Sequence, residues 1–553
     1  MAETHFYNWM MAATGLFATI HESRAFDLAT MIPYLFVAMI LATYGLHRTW
    51  LVYAYIRYRR NVPRVPPAPA RWPKVTIQLP IYNERYVIER LIDAVAKFDY
   101  PWDLLDIQVL DDSTDETQEV ARACVERHRA TGLPIRHLHR TNRNGFKAGA
   151  LAAGLDSATG EFIAIFDADF IPNPDFLRRA IPYLSDPTIG MVQTRWTYLN
   201  GSHSLLTRIQ TVMLDGYFGG EHLTRSRSGL FFHFTGTAGV WRRSAIDDAG
   251  GWQQDTLTED IDLSFRAELR GWRLVYLSDV ECPSELPVEM NAFKEQQARW
   301  AKGSMQVALK ILPQLLRSKE NLRIKAEALF NLSGSITTPL VVVLLALSLP
   351  TLIVRLSNHE FRSIWVDVPC AVATVAVIAF FLGSQYALYP RTWYRGMFYL
   401  PLLFAVGIGI SLRIAKGVLE ALWGIKSDFV RTPKFNTVDG RAASWHVKQY
   451  RNRAGWLPYL EIAFGLYSAF TLLYSIENRN YKTVPFFLTC IFGFTYVGAM
   501  SLAQRWWATV RTGARPYNTQ VATLQGKLRN DDENVSNGVS VPATVPVSDE
   551  SGL

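Results

Sequence analysis

The sequence predicts an α/β cytoplasmic domain inserted in an α-helical transmembrane domain. Of the 553 residues, 49% are hydrophobic, and the mean hydropathy of +0.04 lies between that of a soluble enzyme and that of a transporter. Five apolar segments are long enough to cross a hydrocarbon core, which needs about 20 helical residues. Between the first and second segments, short β-rich runs alternate with helical patterns, as in a mostly parallel sheet covered on both faces.

The first apolar segment is predicted to be a membrane span and not a cleavable signal. It lies far from the N-terminus, lacks a small-residue cleavage pattern and runs into the basic stretch Arg57 to Arg64. Because positive residues flank the cytoplasmic ends of spans, we expect the N-terminus outside and the next domain in the cytoplasm. The five predicted spans are residues 31–54, 332–356, 366–389, 456–476 and 484–504.

Residues 397–423 fit two interpretations. Their apolar start, Met397 to Leu412, resembles a further span. Arg413 and Lys416 interrupt the apolar face, however, as expected of a helix that lies in the membrane interface. A crossing here would also place the basic loop 426–453 outside, against the charge rule. We therefore expect an interfacial helix.

These features divide the chain into five regions. The net charge of +8 follows from basic residues beside apolar segments, so nucleic-acid binding is not expected. Four scattered cysteines indicate neither a disulfide framework nor a zinc site. The regions are an N-terminal segment with the first span (1–60), a proline-rich spacer (61–74), the cytoplasmic α/β domain (75–302), interfacial helices with a loop and four spans (303–515), and a polar tail predicted to be disordered (516–553).

Carboxylates follow two of the predicted strands. Ligands of such sheets bind beyond the carboxyl ends of the strands, and Asp111 and Asp167 each follow an apolar strand. One such Asp could simply cap the next helix, but Asp112 and Asp169 beside them favour a site. The predicted strands are Val75–Leu79, Ile107–Leu110, 135–139 and Phe162–Phe166, and the predicted helices lie near 85–97, 116–130 and 147–156.

Two further motifs offer chemistry, and each has a structural alternative. Thr258-Glu259-Asp260 supplies a carboxylate that can take a proton, although Thr258 could instead cap a helix whose first turn favours acidic residues. Gln296, Arg299 and Trp300 occupy i, i+3 and i+4 of a helix and share one face. An ordinary amphipathic helix would also place a tryptophan near the membrane.

Taken in order, five motifs resemble the signature of the family 2 glycosyltransferases. Whole phrases, among them Asp-Asp-Ser-Thr-Asp and Phe-Asp-Ala-Asp-Phe, are similar to the cellulose-synthase-like mannan and glucan synthases. The resemblance covers residues 75–305 and implies a nucleotide-sugar-binding domain of the GT-A type. The motifs are Gln-Val-Leu-Asp111-Asp112-Ser-Thr-Asp115, Asn144-Gly145-Phe146-Lys147-Ala-Gly149, Ile-Phe-Asp167-Ala-Asp169, Thr258-Glu259-Asp260 and Gln296-Gln-Ala-Arg299-Trp300.

The resemblance implies an inverting, processive enzyme of the plasma (inner) membrane. It would use UDP-glucose or GDP-mannose to extend a β-linked, β-1,4, glucan or mannan and pass the growing glycan chain across the membrane. Contacts with membrane lipid follow from the spans, and accessory subunits fit the family. One alternative is a single-transfer lipid glycosyltransferase. Another is a transporter with an inactive transferase-like domain, which the small number of charges inside the spans disfavours.

The resemblance also implies a role for each matched residue. Asp260 would be the base, supported by Glu259, and Asp169, with Asp167, would hold Mg²⁺ or Mn²⁺ through hard oxygen ligands. The run Phe429-Val-Arg-Thr432-Pro-Lys434 is similar to the gating loop of cellulose synthases, although its proline and the register of its valine depart from that loop. The nucleotide-sugar contacts would be Pro80, Tyr82, Glu84, Asp111, Asp112, Lys147, Gly149 and Asp167, and the acceptor and diphosphate contacts Phe234, Gly236, Gln296, Arg299 and Trp300.

Overall fold

The α/β domain is built on a mixed sheet. The computed structural model describes residues 24–361, 363–427, 431–438 and 455–512. The strands are β1 (Val75–Ile81), β2 (Leu105–Asp111), β3 (Ile135–His139), β4 (Phe162–Ile165), β5 (Ile189–Tyr198), β6 (Gly239–Arg242) and β7 (Arg273–Ser284). Their order across the sheet is β3-β2-β1-β4-β6-β5-β7, and only β6 runs against its neighbours within this described sheet.

Helices cover both faces of the sheet. Alternate residues of β4 enter different apolar clusters: Phe162 and Ala164 join one, while Ile163 and Ile165 join the other. Since side chains alternate along a strand, both faces are buried. The helices of this domain are α2 (Ile88–Val95), α3 (Thr117–Arg129), α4 (Phe146–Ser157), α5 (Phe176–Ala180), α6 (Leu205–Asp215), α7 (Leu223–Arg227), α8 (Arg243–Asp248) and α9 (Glu259–Leu269).

The remaining helices build the membrane region. α1 (Arg24–Tyr58) precedes the sheet domain, and a long helix, α10 (Met290–Arg317), follows it. The predicted boundary at 302/303 falls inside α10, so the Gln-x-x-Arg-Trp motif and the amphipathic run after it share one helix. The later helices are α10 (Met290–Arg317), α11 (Leu322–Ser333), α12 (Thr337–Ala346), α13 (Ser348–Ser357), α14 (Val368–Leu388), α15 (Tyr394–Met397), α16 (Leu400–Gly409), α17 (Ser411–Leu422), α18 (Leu457–Glu477) and α19 (Val484–Thr512).

Within the described residues, five helical segments are long and apolar enough to cross a membrane, as expected of an integral membrane protein. They are Arg24–Tyr58, Leu322–Ala346, Val368–Leu388, Leu457–Glu477 and Tyr481–Gln504. The second begins earlier than the sequence predicted and ends before α13. Its first turns contain the charged residues Arg323, Lys325 and Glu327 and so precede the uninterrupted apolar run.

Glu327 belongs to a buried chain of alternating charges. It accepts hydrogen bonds from His47 Nε2 of α1 at 2.8 Å and from Arg225 Nε of α7 at 2.8 Å. Arg225 also pairs with Glu221 at 2.8 Å, and Arg48 of α1 donates to Glu221. Buried charges need such partners. This ion network therefore ties the first two spans to the sheet domain.

Helices α16 and α17 are bent by 52° at Ile410, so they would form a sixth span if they crossed together. Arg413, one of the charges that interrupts the apolar face, donates to both carboxylate oxygens of Glu295 on α10, at 2.7 and 2.6 Å. α17 thus lies against α10. Its position at the membrane interface stays a prediction, and the predicted disordered tail lies outside the described residues.

Candidate active site

A cavity of about 180 Å³ lies at the carboxyl edge of the parallel strands. Loops after β1, β4 and β7 form one side of it, and the first turns of α4 and α9 together with α10 form the other. Most of the residues singled out in the sequence line this cavity. They are Pro80, Tyr82, Glu84, Asp112, Lys147, Asp167, Asp169, Gly236, Glu259, Asp260, Gln296, Arg299, Trp300, Thr432 and Lys434.

Asp111 does not line the cavity. Its carboxylate is fully buried and accepts hydrogen bonds from His137 Nε2 and from the Ser113 backbone N–H, both at 2.8 Å. Although burial raises the pKa of Asp111, these hydrogen bonds hold it below its ordinary value. The neighbouring Asp112 does reach the cavity, where Arg140 Nε donates to it at 2.7 Å.

Gly149 and Phe234 do not line the cavity either, but they lie next to residues that do. A Cβ on Gly149 would lie 2.0 Å from the carbonyl oxygen of Asn144, so glycine is required by the loop before α4. Phe234 is buried, and its backbone N–H donates to Ser264 Oγ of α9 at 2.9 Å. These two residues therefore support the loops that form the cavity wall. Phe429 lies outside the described residues.

Lys147 joins two loops across the cavity. Its Nζ donates to Asp167 Oδ1 at 2.5 Å and to the carbonyl oxygen of Gly236 at 2.8 Å. Burial raises the pKa of Asp167, while the charge of Lys147 opposes that rise. The backbone N–H of Asp167 donates to Thr237 Oγ1 at 2.9 Å. The Asp-Ala-Asp loop and the loop before β6 are therefore held together by a cation.

Asp260, the predicted base, has a raised pKa. Burial, and then the charge of Glu259, raise its pKa to about 7, which suits proton transfer near neutral pH. Burial likewise raises the pKa of Glu259. Gly236, at φ 79°, brings its backbone against this carboxylate, because a Cβ there would lie 3.1 Å from Asp260 Oδ2.

Thr258 occupies the N-cap position of α9 but makes no side-chain capping hydrogen bond. A Cβ on Gly303 would lie 2.5 Å from Thr258 Cγ2. Gly303 therefore lets α10 approach the start of α9. That approach brings Arg299 near Glu259. Burial lowers the pKa of Arg299, while the negative charge of Glu259 opposes this change.

The described part of the loop after α17, residues 431–438, covers the cavity. Lys434 Nζ donates to Asp169 Oδ2 at 2.6 Å, and Arg431 Nε lies 3.1 Å from Glu84 Oε1. Burial raises the pKa of Glu84 to about 7, opposed by Arg431. Two cationic side chains of this loop, Arg431 and Lys434, therefore form ion pairs with two carboxylates of the sheet domain.

Sequence reasoning missed Glu285 and Arg143. Glu285 directly follows β7, and its carboxylate accepts from Arg90 NH2 at 3.0 Å and from the Phe435 backbone N–H at 2.9 Å. Its signal was the one used for Asp167, a carboxylate at the end of an apolar strand. The Arg143 guanidinium stacks 3.4 Å from the ring centroid of Tyr82, and no local pattern joins these two residues.

A second cavity, of about 1240 Å³, lies between the candidate spans and shares several lining residues with the first. Its walls come from α1, α10, α12, α14, α16 and α19. Trp300 and Asp260 line both cavities, so the Asp260 carboxylate borders the larger cavity as well as the smaller one. The full set that lines both is Trp196, Leu214, Thr235, Thr258, Asp260 and Trp300.

Residues 73–303 match the family described as glycosyltransferase like family 2. This stretch is therefore a glycosyltransferase family 2 domain. With its mixed sheet and strand-end site it has the GT-A type fold, which confirms the predicted fold class and the predicted class of enzyme domain.

Curated relatives carry a more specific description. The chain is 46% identical over 254 residues to glucomannan 4-β-mannosyltransferase 1 of Oryza sativa subsp. japonica, covering 45% of this chain and 49% of that protein. It is 45% identical over 256 residues to glucomannan 4-β-mannosyltransferase 2 of Arabidopsis thaliana, covering 45% and 48%. The chain spans about half the length of the curated relatives it matches.

A solved structure is similar at lower identity. A mannosyltransferase from Pyrobaculum calidifontis, in complex with GDP-Man and Mn²⁺, is 22% identical with a TM-score of 0.49, covering 71% of this chain and all of that one.

Proposed function

We propose that the protein is an inverting, processive glycosyltransferase that extends a β-1,4-linked mannan or glucan and passes it across a membrane. The observation that carries the proposal is that the two cavities share wall residues. Asp260 and Trp300 line both the charged site at the sheet edge and a space of about 1240 Å³ between candidate spans. A transferase that released a small product to the cytoplasm would not need such a space.

Each residue has a chemical task in this proposal. Asp260 takes the proton from the acceptor hydroxyl as that oxygen bonds to the anomeric carbon and the bond to the nucleoside diphosphate breaks. Because attack and departure are on opposite faces, the anomeric configuration inverts. Arg299 and Lys147 offset the charge that develops on the diphosphate. The stacked Tyr82 and Arg143 offer a flat surface for the nucleotide base.

The carboxylates fit a divalent cation. Asp167 and Asp169 provide the hard oxygen ligands that Mg²⁺ and Mn²⁺ prefer. Lys434 Nζ lies 2.6 Å from Asp169 Oδ2, so a positive group is already accommodated there. We infer that Asp169, with Asp167, would hold the metal. A bound cation would neutralise the diphosphate leaving group.

The donor proposed is GDP-mannose, with UDP-glucose as the alternative. The similarity to two plant glucomannan 4-β-mannosyltransferases supports mannose and the β-1,4 linkage. We propose that the protein lies in the plasma (inner) membrane with the sheet domain on the cytoplasmic side, where nucleotide sugars are available. Arg57 to Arg64 at the end of α1 support this orientation.

A second candidate, a single-transfer lipid glycosyltransferase, is favoured by one observation. Away from Trp300 the walls of the large cavity are mostly apolar, whereas a path for a sugar polymer should be polar and lined by aromatic rings. Aromatic rings are present, but aliphatic groups accompany them. The rings are those of Tyr44, Phe330, Phe380, Phe381, Phe404 and Phe486, and aliphatic examples are Val341, Leu344 and Leu345.

The product decides between these candidates. Purified protein is incubated with labelled GDP-mannose or UDP-glucose and Mg²⁺ or Mn²⁺, and the product is sized and then digested with endo-β-1,4-mannanase or endo-β-1,4-glucanase. We expect a long product sensitive to one of the two enzymes. A single labelled sugar on an extractable lipid would replace the polymerase proposal with the second candidate.

A further inference from the structure

Three side chains that can ligate a metal come together outside both cavities. They are Asp93 on α2 and Cys124 and His128 on α3, and their ligand atoms all lie within 4.8 Å of one another. Asp93 Oδ1 lies 2.7 Å from His128 Nε2 and 3.9 Å from Cys124 Sγ. The spacing of the cysteines did not indicate this cluster, because a search for cysteine pairs does not detect a cysteine and a histidine one helical turn apart.

The donor set of this cluster fits zinc. A tetrahedral zinc site binds sulfur, nitrogen and oxygen atoms at about 2.0–2.3 Å, which places neighbouring ligands about 3–4 Å apart. Cys124 and His128 are i and i+4 of one helix and share a face, while Asp93 supplies the third donor from the neighbouring helix. The hydrogen bond between Asp93 and His128 would open slightly to admit the ion, and a water would complete the tetrahedron.

A positive group already lies beside two of these ligands. Arg127 NH2 is 2.8 Å from Asp93 Oδ1 and 3.2 Å from Cys124 Sγ. The Arg127 side chain is 52% exposed, and its NH1 donates to Glu89 Oε1 at 3.0 Å. Since exposed ion pairs contribute little to stability, the guanidinium can turn into solvent at small cost. Arg127 therefore competes with a metal ion without closing the path by which the ion enters.

The cluster lies at the opposite edge of the sheet from the catalytic cavity. α2 and α3 each connect parallel strands, so each begins at the carboxyl edge and returns to the amino edge. Asp93 lies near the end of α2 and His128 near the end of α3. The loops before these helices are joined by Asn83, whose Oδ1 accepts from the Thr114 backbone N–H at 2.8 Å. A metal at the far end would fix the same two helices behind the cavity.

We propose that Asp93, Cys124 and His128 form a structural zinc site that joins α2 to α3, with Arg127 as the competing cation. Binding releases the thiol proton of Cys124 to solvent, because zinc takes the thiolate. The site is independent of the proposed function, since it lies outside both cavities and takes no part in the transfer.

Cobalt substitution tests the site, because a cobalt–thiolate bond absorbs in the near ultraviolet. The full-length protein in detergent is stripped of metal and titrated with Co²⁺ in excess Mg²⁺, which prefers all-oxygen sites such as Asp167 with Asp169. We expect the thiolate absorption to saturate at a single equivalent per chain and to disappear when Zn²⁺ displaces the cobalt. Zn²⁺ should also raise the midpoint of thermal unfolding, because it binds the folded site.

Variants assign the absorption to its ligands. Cys124→Ala should abolish it, whereas Cys282→Ala, the same change at another buried cysteine of the same apolar cluster, should keep it. His128→Ala should weaken cobalt binding at least about tenfold. Arg127→Gln should strengthen it about two- to fivefold, since the competing cation is removed. GDP affinity, measured by calorimetry, reports whether each variant is folded, and His128→Ala decides if Cys124→Ala is not.

The zinc site is overturned if the wild type shows no thiolate absorption. Absorption in Arg127→Gln alone also overturns it, because the arginine would then be the native occupant and the helices would be joined by an ordinary ion cluster. Absorption that persists in folded Cys124→Ala would place the cobalt on another cysteine, with the same consequence. Zinc binding without any rise of the unfolding midpoint would remove the structural role.

Discussion

The two cavities that meet at Trp300 differ in size and in chemistry. The smaller, about 180 Å³, is lined by charged side chains such as Asp169 and Lys147, whereas the larger, about 1240 Å³, has mostly apolar walls. Bond breaking needs charges at fixed positions, so its residues form short, recognisable motifs. An apolar space needs only side chains of suitable size, which many sequences provide. Local motifs therefore predict the small cavity better than the large one.

The largest expected effect on transfer comes from removing the metal ion proposed for the small cavity. If Asp167 and Asp169 hold a divalent metal, transfer should vanish in excess chelator and return with Mg²⁺ or Mn²⁺. Sugar incorporation measured over a metal titration checks this. Full turnover in chelator would contradict the metal site and leave charge neutralisation to Lys147 and Arg299.

Removing the base should come next in size. Asp260→Asn keeps the shape of the side chain but cannot accept the proton, so transfer should fall by about 10²–10⁴. Nucleotide affinity, measured by calorimetry, should stay near wild type. Asp247→Asn, on the exposed side of α8, is the control. If Asp260→Asn turns over normally, the base lies elsewhere.

The pH profile should follow Asp260 as well. Its pKa is raised to about 7, and only the ionised form takes a proton. The value of kcat/KM, which reports groups of the free enzyme, should therefore fall about tenfold per unit as pH drops below 7 and level off above it. A rate that is flat between pH 5 and 8 would show that this carboxylate does not limit the reaction.

Trp300 should give a smaller effect, and one that concerns product length more than nucleotide binding. It lines both cavities, where its ring can hold the acceptor between additions. Trp300→Ala should shorten the product while leaving nucleotide affinity within a few fold, as measured by gel sizing and calorimetry. Full-length product from this variant would remove the proposed platform.

The position of Asp167 could be predicted for a physical reason. It follows an apolar strand, and strand ends in parallel sheets meet at one edge, whereas most other wall residues were predicted from the resemblance to glycosyltransferase motifs. The strand-end rule also predicted that Asp111 would point into the crevice, but its carboxylate faces His137, because the rule does not specify which way a side chain turns. The roles of the lining residues stay predictions.

Contacts between distant parts of the chain were harder to predict. Lys434 and Asp169 are 265 residues apart, and nothing local pairs them. The second candidate span begins ten residues before the predicted one, and its charged first turns include Glu327, whose partners His47 and Arg225 are distant in sequence.

The ion network also has a consequence for biogenesis. Its acidic members follow their basic partners on α1 by many residues: 173 separate Arg48 from Glu221, and 280 separate His47 from Glu327. At about 5–20 residues per second, translation of these stretches takes on the order of 10–60 s. Neither contact can form until its carboxylate has been synthesised, so the network is complete only after Glu327 of the second candidate span has been made.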